Sequence, residues 1–232
     1  MRGVNGAISG PVSSPAAPFA TRPAMKTPKG LEGVEVDETS ISLVDGRRGA
    51  LYYRGIAIDD LVSRPFLDVA SLVVGRPIDP AEFAAAGALS RRDRILFETA
   101  NDGRHPMHVL QGMVPLVDIP DAFRDFGEAA PGLVVAAKLP QLVAGLSPGG
   151  EGSYAADPDY CGRFLAQFEG DRSQRARRAF EVTQILQLEH SFNAGTFAAR
   201  VVASTLAPIT DVIAAAMGAV SYTHLTLPTS FL

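Results

Sequence analysis

From Ala57 onward, apolar residues recur at three- and four-residue spacing, and only short runs of polar residues, Pro and Gly interrupt them. The periodic stretches are Ala57 to Val74, Ala81 to Leu89, Arg92 to Ala100, Val109 to Leu116 and Leu133 to Leu146. Each reads as a helix with one buried face. The breaks between them are "GRP", "NDGRHPM", "DIPD" and "SPGGEG". Connections this brief place successive helices side by side and antiparallel, so the body is expected to be all-α. One segment reads differently. "ETSISLVDGRRGALYYRG" alternates apolar and polar residues around Ile41 and Leu43, turns at Asp45-Gly46 and resumes at Leu51 and Tyr53. This predicts a small N-terminal β-hairpin with Gly49 as a bulge. No repeat of fixed period is present.

After Asp157 the helical signals sharpen. "DPDYCGRFLAQFEG" predicts a helix capped by Asp157 or Asp159 and closed by Gly170. Ser173 caps the next helix, whose stripe is Ala179, Val182, Ile185 and Leu186, with Arg175 and Arg178 facing away. It is expected to run to His190. Its successor starts near Asn193 and stops before Pro208, and a last helix begins near Thr210 or Asp211.

With 232 residues, 47% of them apolar, the chain has material for one large core or two modest ones. The net charge of −4 and a longest basic cluster of "RARR" at 175 to 178 give no basis for a nucleic-acid partner. A single cysteine, Cys161, excludes an internal disulfide, and the four histidines show no metal-ligand spacing. A reducing cytoplasm fits this usage. No apolar run reaches the roughly 18 residues that span a bilayer, so no membrane partner is expected. Residues 1–29 are rich in Pro, Ala, Gly and Ser, without an acidic residue, and are expected to be a disordered tail. Met25 reads as a natural start, so 1–24 are expected to be a miscalled extension.

The chemistry concentrates in "LQLEHSFNAGTFAARVV", 186 to 202. Ser191 and Asn193 are both capping residues, so a helix junction is predicted between His190 and Ala194. His190 then sits at a helix C-terminus, where the macrodipole favours an imidazolium, and Asn193 opens a helix whose amides attract anions. Two readings stay open on the pattern alone: a dicarboxylate site, or a junction histidine satisfied by a backbone carbonyl beside a simple cap. His105 and His108 read as structural, Cys161 as core, and Arg54 and Arg200 carry no assigned role. "SPGGEG" lacks the strand, spacing and lysine of a phosphate loop and reads as a linker.

The blocks "GLEGVEVDETSISLVDGRRGALYYRG" (30 to 55), "HPM" (105 to 107), "PDYCGRFLAQFEG" and "LEHSFNAGTFAARVVAST" (188 to 205) together resemble the citrate synthase family, in order and spacing. The resemblance runs from about Gly30 to Ala219. It implies the helical large domain of that fold across 30–219, oxaloacetate and acetyl-CoA as substrates, no cofactor or metal, and a homodimer. It also implies that His190 holds oxaloacetate and that Asn193 lies beside it. The chain departs from the family pattern at Gln187, where a histidine is usual, at Ser191, where a glutamate is common, and at Ile56, where an aromatic often follows "YRG". The family's catalytic histidines and aspartate base fall beyond the matched region, so no catalytic residue is assigned. A 2-methylcitrate synthase using propionyl-CoA, or an inactive helical dicarboxylate-binding or interaction module, are the other readings.

Residues 220–232 abandon the helical pattern. Val220 to Thr229 equals the in-frame translation of the end of a transposon-based sequencing adapter. This segment is expected to be non-native, with His224 devoid of function.

Overall fold

The computed structural model describes residues 37–124, 130–147 and 159–220. The expected N-terminal tail, Asp157, most of "SPGGEG" and the segment from 221 on, His224 included, lie outside these residues. The expected hairpin is present as β1 (Ser42–Asp45) and β2 (Ala50–Tyr53), antiparallel, with Ser42 opposite Tyr53 and Asp45 opposite Ala50. Its turn is wider than the predicted Asp-Gly pair and takes in Gly46 to Gly49. Asp45 Oδ1 accepts from the amides of Arg47 and Arg48 at 3.1 and 3.0 Å, and Gly49 closes the turn at φ +63°. A third strand, β3 (Ile56–Ala57), pairs with β2 where the spacing predicted the start of a helix.

The remainder is helical, as expected. The helices are α1 (Ile58–Leu61), α2 (Phe66–Val74), α3 (Pro80–Ala86), α4 (Arg91–Ala100), α5 (Pro106–Met113), α6 (Asp121–Arg124), α7 (Ala130–Leu146), α8 (Tyr160–Leu165), α9 (Gln174–Leu186), α10 (Ala194–Ala203) and α11 (Ile209–Val220). Their starts follow the capping residues. Asp79 opens α3 ahead of Pro80, Ser90 and Asp93 form a capping box on α4, His105 Nδ1 accepts from the Met107 amide at the start of α5, and Asp159 and Ser173 open α8 and α9. His105 thus has the structural role expected of it. Gly170 does not close α8, which ends at Leu165.

Helix α7 is apolar around most of its circumference, the mark of a central helix. Val135 and Leu142 share one cluster with Val109, Leu110, Met113 and Val114, and with Ala214 of α11. Val134 and Ala137 face Leu67, Phe83 and Ala86 of α2 and α3. A third cluster joins the hairpin to α1, α2 and α9 through Tyr53, Leu61, Val69 and Ile185. Cys161 is wholly buried, as the sequence predicted, and burial together with the Asp159 and Glu181 carboxylates pushes its thiol up to about 12.

The orientation of α9 corrects the expected stripe. Ile185 is buried, but Ala179 and Leu186 are exposed, and Arg178 turns inward. Its guanidinium donates to the carbonyls of Val62 and Arg64 and to Glu181. Glu181 in turn accepts from the Phe66 amide at 2.6 Å, supplying the cap that Pro65 cannot give to α2. A hydropathy stripe does not register such contacts, because the charged end of the arginine makes them by hydrogen bonds to backbone carbonyls.

One buried ion pair ties α4 to α7. Asp93 and Lys138 are fully enclosed, with Nζ 2.5 Å from Oδ2. The carboxylate also accepts from the amides of Ser90 and Asp118, and Nζ donates to the Asp118 carbonyl at 2.6 Å. Burial raises the Asp93 pKa, but the Asp118 amide, Lys138 and the Ser90 amide outweigh it and hold the carboxyl below its ordinary 3.8. A carboxyl with a depressed folded-state pKa stabilises the fold above its unfolded value, and that contribution disappears as pH falls through the folded value. Lys138→Met, which strands a buried carboxylate, is expected to destabilise the chain by about 3–5 kcal/mol in urea unfolding at pH 7. Below about pH 4 the wild type is expected to lose stability that an Asp93→Asn variant, already lacking the charge, loses to a smaller extent.

Candidate functional site

The loop between α9 and α10 brings His190 and Asn193 together. Asn193 occupies the N-cap of α10, and its Oδ1 accepts from the Thr196 amide at 2.9 Å. That bond fixes which way the side-chain amide faces, so Nδ2 is the atom 2.9 Å from His190 Nε2. An amide NH2 only donates. His190 Nε2 therefore accepts, and the proton of the ring sits on Nδ1.

The junction falls where the caps predicted, but His190 does not sit at the end of α9. The helix stops at Leu186, and His190 lies in the following loop with its side chain exposed. The expected macrodipole contact, which acts only within the last turn, is lost with that displacement. The nearby N-terminus of α10 has the opposite sign: it favours an anion, not an imidazolium.

The end of α9 is bonded to the hairpin. The Tyr53 hydroxyl, fully buried, donates to the Ile185 carbonyl at 2.9 Å and accepts from the Glu189 amide at 3.2 Å. Burial pushes the Tyr53 pKa up, which keeps the hydroxyl protonated as a donor. Glu189 Oε1 then accepts from Ser42 Oγ at 3.0 Å and from the Ser191 amide at 2.5 Å. Ser191 takes a left-handed φ of +71°, uncommon for a residue with a side chain. Its carbonyl accepts from the Asn193 amide at 3.0 Å and from Thr196 Oγ1 at 3.3 Å, which holds the reversed backbone in place. Tyr53, Ser42 and Glu189 had no role in the sequence reading. Their partners lie more than a hundred positions away, and only the inward-facing alternation of "LYY" marked Tyr53 as buried.

Two other residues resolve structurally. Arg54 donates from Nε to the Leu72 carbonyl at 2.7 Å and from Nη2 to the Val73 carbonyl at 3.0 Å, closing the end of α2. Arg200 stacks its guanidinium over Phe192, 5.1 Å from the ring centroid. Gln187, at the position where the resemblance leads one to expect histidine, is the exposed C-cap of α9. Gly195 sits against α11, where an added Cβ would come within 2.6 Å of Val220 Cγ2. A cleft of about 680 Å3, lined among others by Arg92, Asp118, Leu206 and Ile209, lies at the far end of α10 and includes neither His190 nor Asn193. Among the described residues no cluster of His, Cys, Asp and Glu could hold a metal ion, and no helix is long and apolar enough to cross a membrane.

The family profile described as "Citrate synthase, C-terminal domain" matches residues 30–223. A citrate synthase of Mycolicibacterium smegmatis is 35% identical over 82% of this chain and 56% of its own length. A 2-methylcitrate synthase of Mycobacterium tuberculosis is 34% identical over 85% of this chain and 54% of its own. The crystal structure of citrate synthase from Thermotoga maritima superposes with a TM-score of 0.66 at 30% identity, covering 83% of this chain and 55% of that one. The chain spans about half the length of the curated relatives it matches.

The double use of Asn193 separates fold from site. Asn193→Ala is expected to cost about 1 kcal/mol in urea unfolding through loss of the cap, whereas Asn193→Ser keeps a cap and stays within a few tenths. Both variants remove the donor to His190 Nε2, so the histidine-selective 15N spectrum is expected to change in each by the same amount.

Proposed function

The chain belongs to the citrate synthase family, and on that premise we propose that it is the oxaloacetate-holding part of an enzyme that condenses acetyl-CoA with oxaloacetate to citrate and CoA in the tricarboxylic acid cycle. The observation that carries this reading is the 2.9 Å contact between Asn193 Nδ2 and His190 Nε2 at the N-terminus of α10. A substrate carboxylate replaces that contact. It accepts from Asn193 Nδ2, and when the ring gains a proton at Nε2 the imidazole changes from acceptor to donor toward the same anion. A cationic donor, a neutral amide donor and the positive end of a helix then converge on a double negative charge.

Condensation needs more than this. Taking a methyl proton from a thioester is steeply uphill unless a positioned carboxylate receives it while a donor meets the charge growing on the enol oxygen. Those groups belong, on this reading, to the part of the protein that the chain does not span, and the 232-residue chain by itself has no turnover. Acetyl-CoA enters as substrate, with no cofactor. A homodimer is supported by the apolar side chains that α10 and its exit leave exposed, Val201 at 52% and Leu206 at 94%. A cytoplasmic location is part of the same proposal.

The near-equal identity to the mycobacterial 2-methylcitrate synthase supports a second reading, in which propionyl-CoA is the acyl donor. The test is thiol release by the full-length protein of the source genome, with oxaloacetate and either acyl-CoA. Acetyl-CoA is expected to be the better donor, and a preference for propionyl-CoA selects the second reading. His190→Ala is expected to raise the KM for oxaloacetate by about 10- to 100-fold, the loss of one charge-assisted hydrogen bond. Absence of thiol release with both donors contradicts the proposal.

A further inference from the structure

In an uninterrupted helix the Glu189 amide would donate to the Ile185 carbonyl, four residues earlier. Here the Tyr53 hydroxyl stands between the two groups, donating to the carbonyl at 2.9 Å and accepting from the amide at 3.2 Å. The hydroxyl takes the place of that helix bond, and the carbonyl also accepts from the Leu188 amide at 3.3 Å, one residue short of helical spacing. Past that point the chain leaves the helix axis. Glu189 Oε1 is gripped by Ser42 Oγ from β1 at 3.0 Å and accepts from the Ser191 amide at 2.5 Å, so the backbone reverses around His190. Ser42 and Tyr53 face each other across the β1–β2 pair, and both are buried. Two side chains of one rung therefore hold the chain on the α9 side of His190, and Glu189 passes that hold to the Ser191 amide.

We propose that Tyr53 and Ser42 are positioning residues for substrate binding: the hairpin ends α9 at Leu186 by inserting the Tyr53 hydroxyl into its ladder, and through Glu189 it aims His190 at Asn193. Neither side chain touches the substrate. The proposal rests on the reading of His190 as an oxaloacetate ligand for its kinetic consequence, but its geometric content is independent of that reading.

The test uses the full-length protein with Tyr53→Phe, Ser42→Ala and His190→Ala. Tyr53→Phe keeps the buried ring, so the fold is retained while the wedge is lost. It is expected to raise the KM for oxaloacetate about tenfold and to leave the KM for the acyl-CoA unchanged. A loss confined to general stability would move both constants or neither. Ser42→Ala, which leaves the wedge in place, is expected to shift the same constant less, and it serves alone if Tyr53→Phe does not fold. In a crystal structure of Tyr53→Phe, the Ile185 carbonyl is expected to bond the Glu189 amide directly, with His190 moved away from Asn193. Wild-type kinetics in Tyr53→Phe and Ser42→Ala, alongside a raised oxaloacetate KM in His190→Ala, overturns the proposal. If His190→Ala leaves that constant unchanged, the substrate reading is what fails. The brace is then decided by the Tyr53→Phe structure, where an unmoved His190 overturns it.

Discussion

A single side-chain amide serves both the fold and the site. Asn193 Oδ1 caps α10, and that bond leaves no choice about where Nδ2 goes, which in turn fixes the proton of His190 on Nδ1. The cap and the candidate ligand pair are therefore one arrangement. A helix whose first turn is secured by a carbonyl oxygen can present the matching NH2 at its mouth, where the helix field already favours an anion. Aspartate would cap as well, but an ionised carboxylate has no hydrogen to donate.

Around this junction the structure is layered by distance in sequence. The central helix α7 binds the α5 and α11 side to the α2 and α3 side through apolar contacts, and Asp93 with Lys138 locks α4 against it. These groups set where α10 and α11 lie. The hairpin comes from far earlier in the chain, and through Tyr53 it bonds the backbone where α9 gives way to the loop. The candidate ligand at position 190 thus follows a stretch of backbone bonded to a strand more than a hundred positions earlier.

Much of this was legible in the sequence, because the signals were local. The all-α body with its small hairpin followed from periodicity and punctuation, and Ser173, Asp159 and Asn193 declared their helix starts by residue type. What escaped was non-local. A tyrosine more than a hundred positions earlier bonds the chain where α9 ends, and no residue type near Leu186 announces that contact, so the helix was carried too far and His190 was given a macrodipole it does not meet. Arg178 was turned outward for the same kind of reason, since nothing local shows that its guanidinium bonds the carbonyls of the α1–α2 connection. The turn at Asp45 came out wider than an Asp-Gly pair suggests because the aspartate side chain reaches the amides of both Arg47 and Arg48.

The most direct measurement is a crystal structure of the full-length protein with oxaloacetate. A carboxylate oxygen within about 3 Å of both the His190 imidazole and Asn193 Nδ2, with their mutual contact broken, is the expected result. Oxaloacetate bound elsewhere, with the His190–Asn193 contact intact, would contradict it.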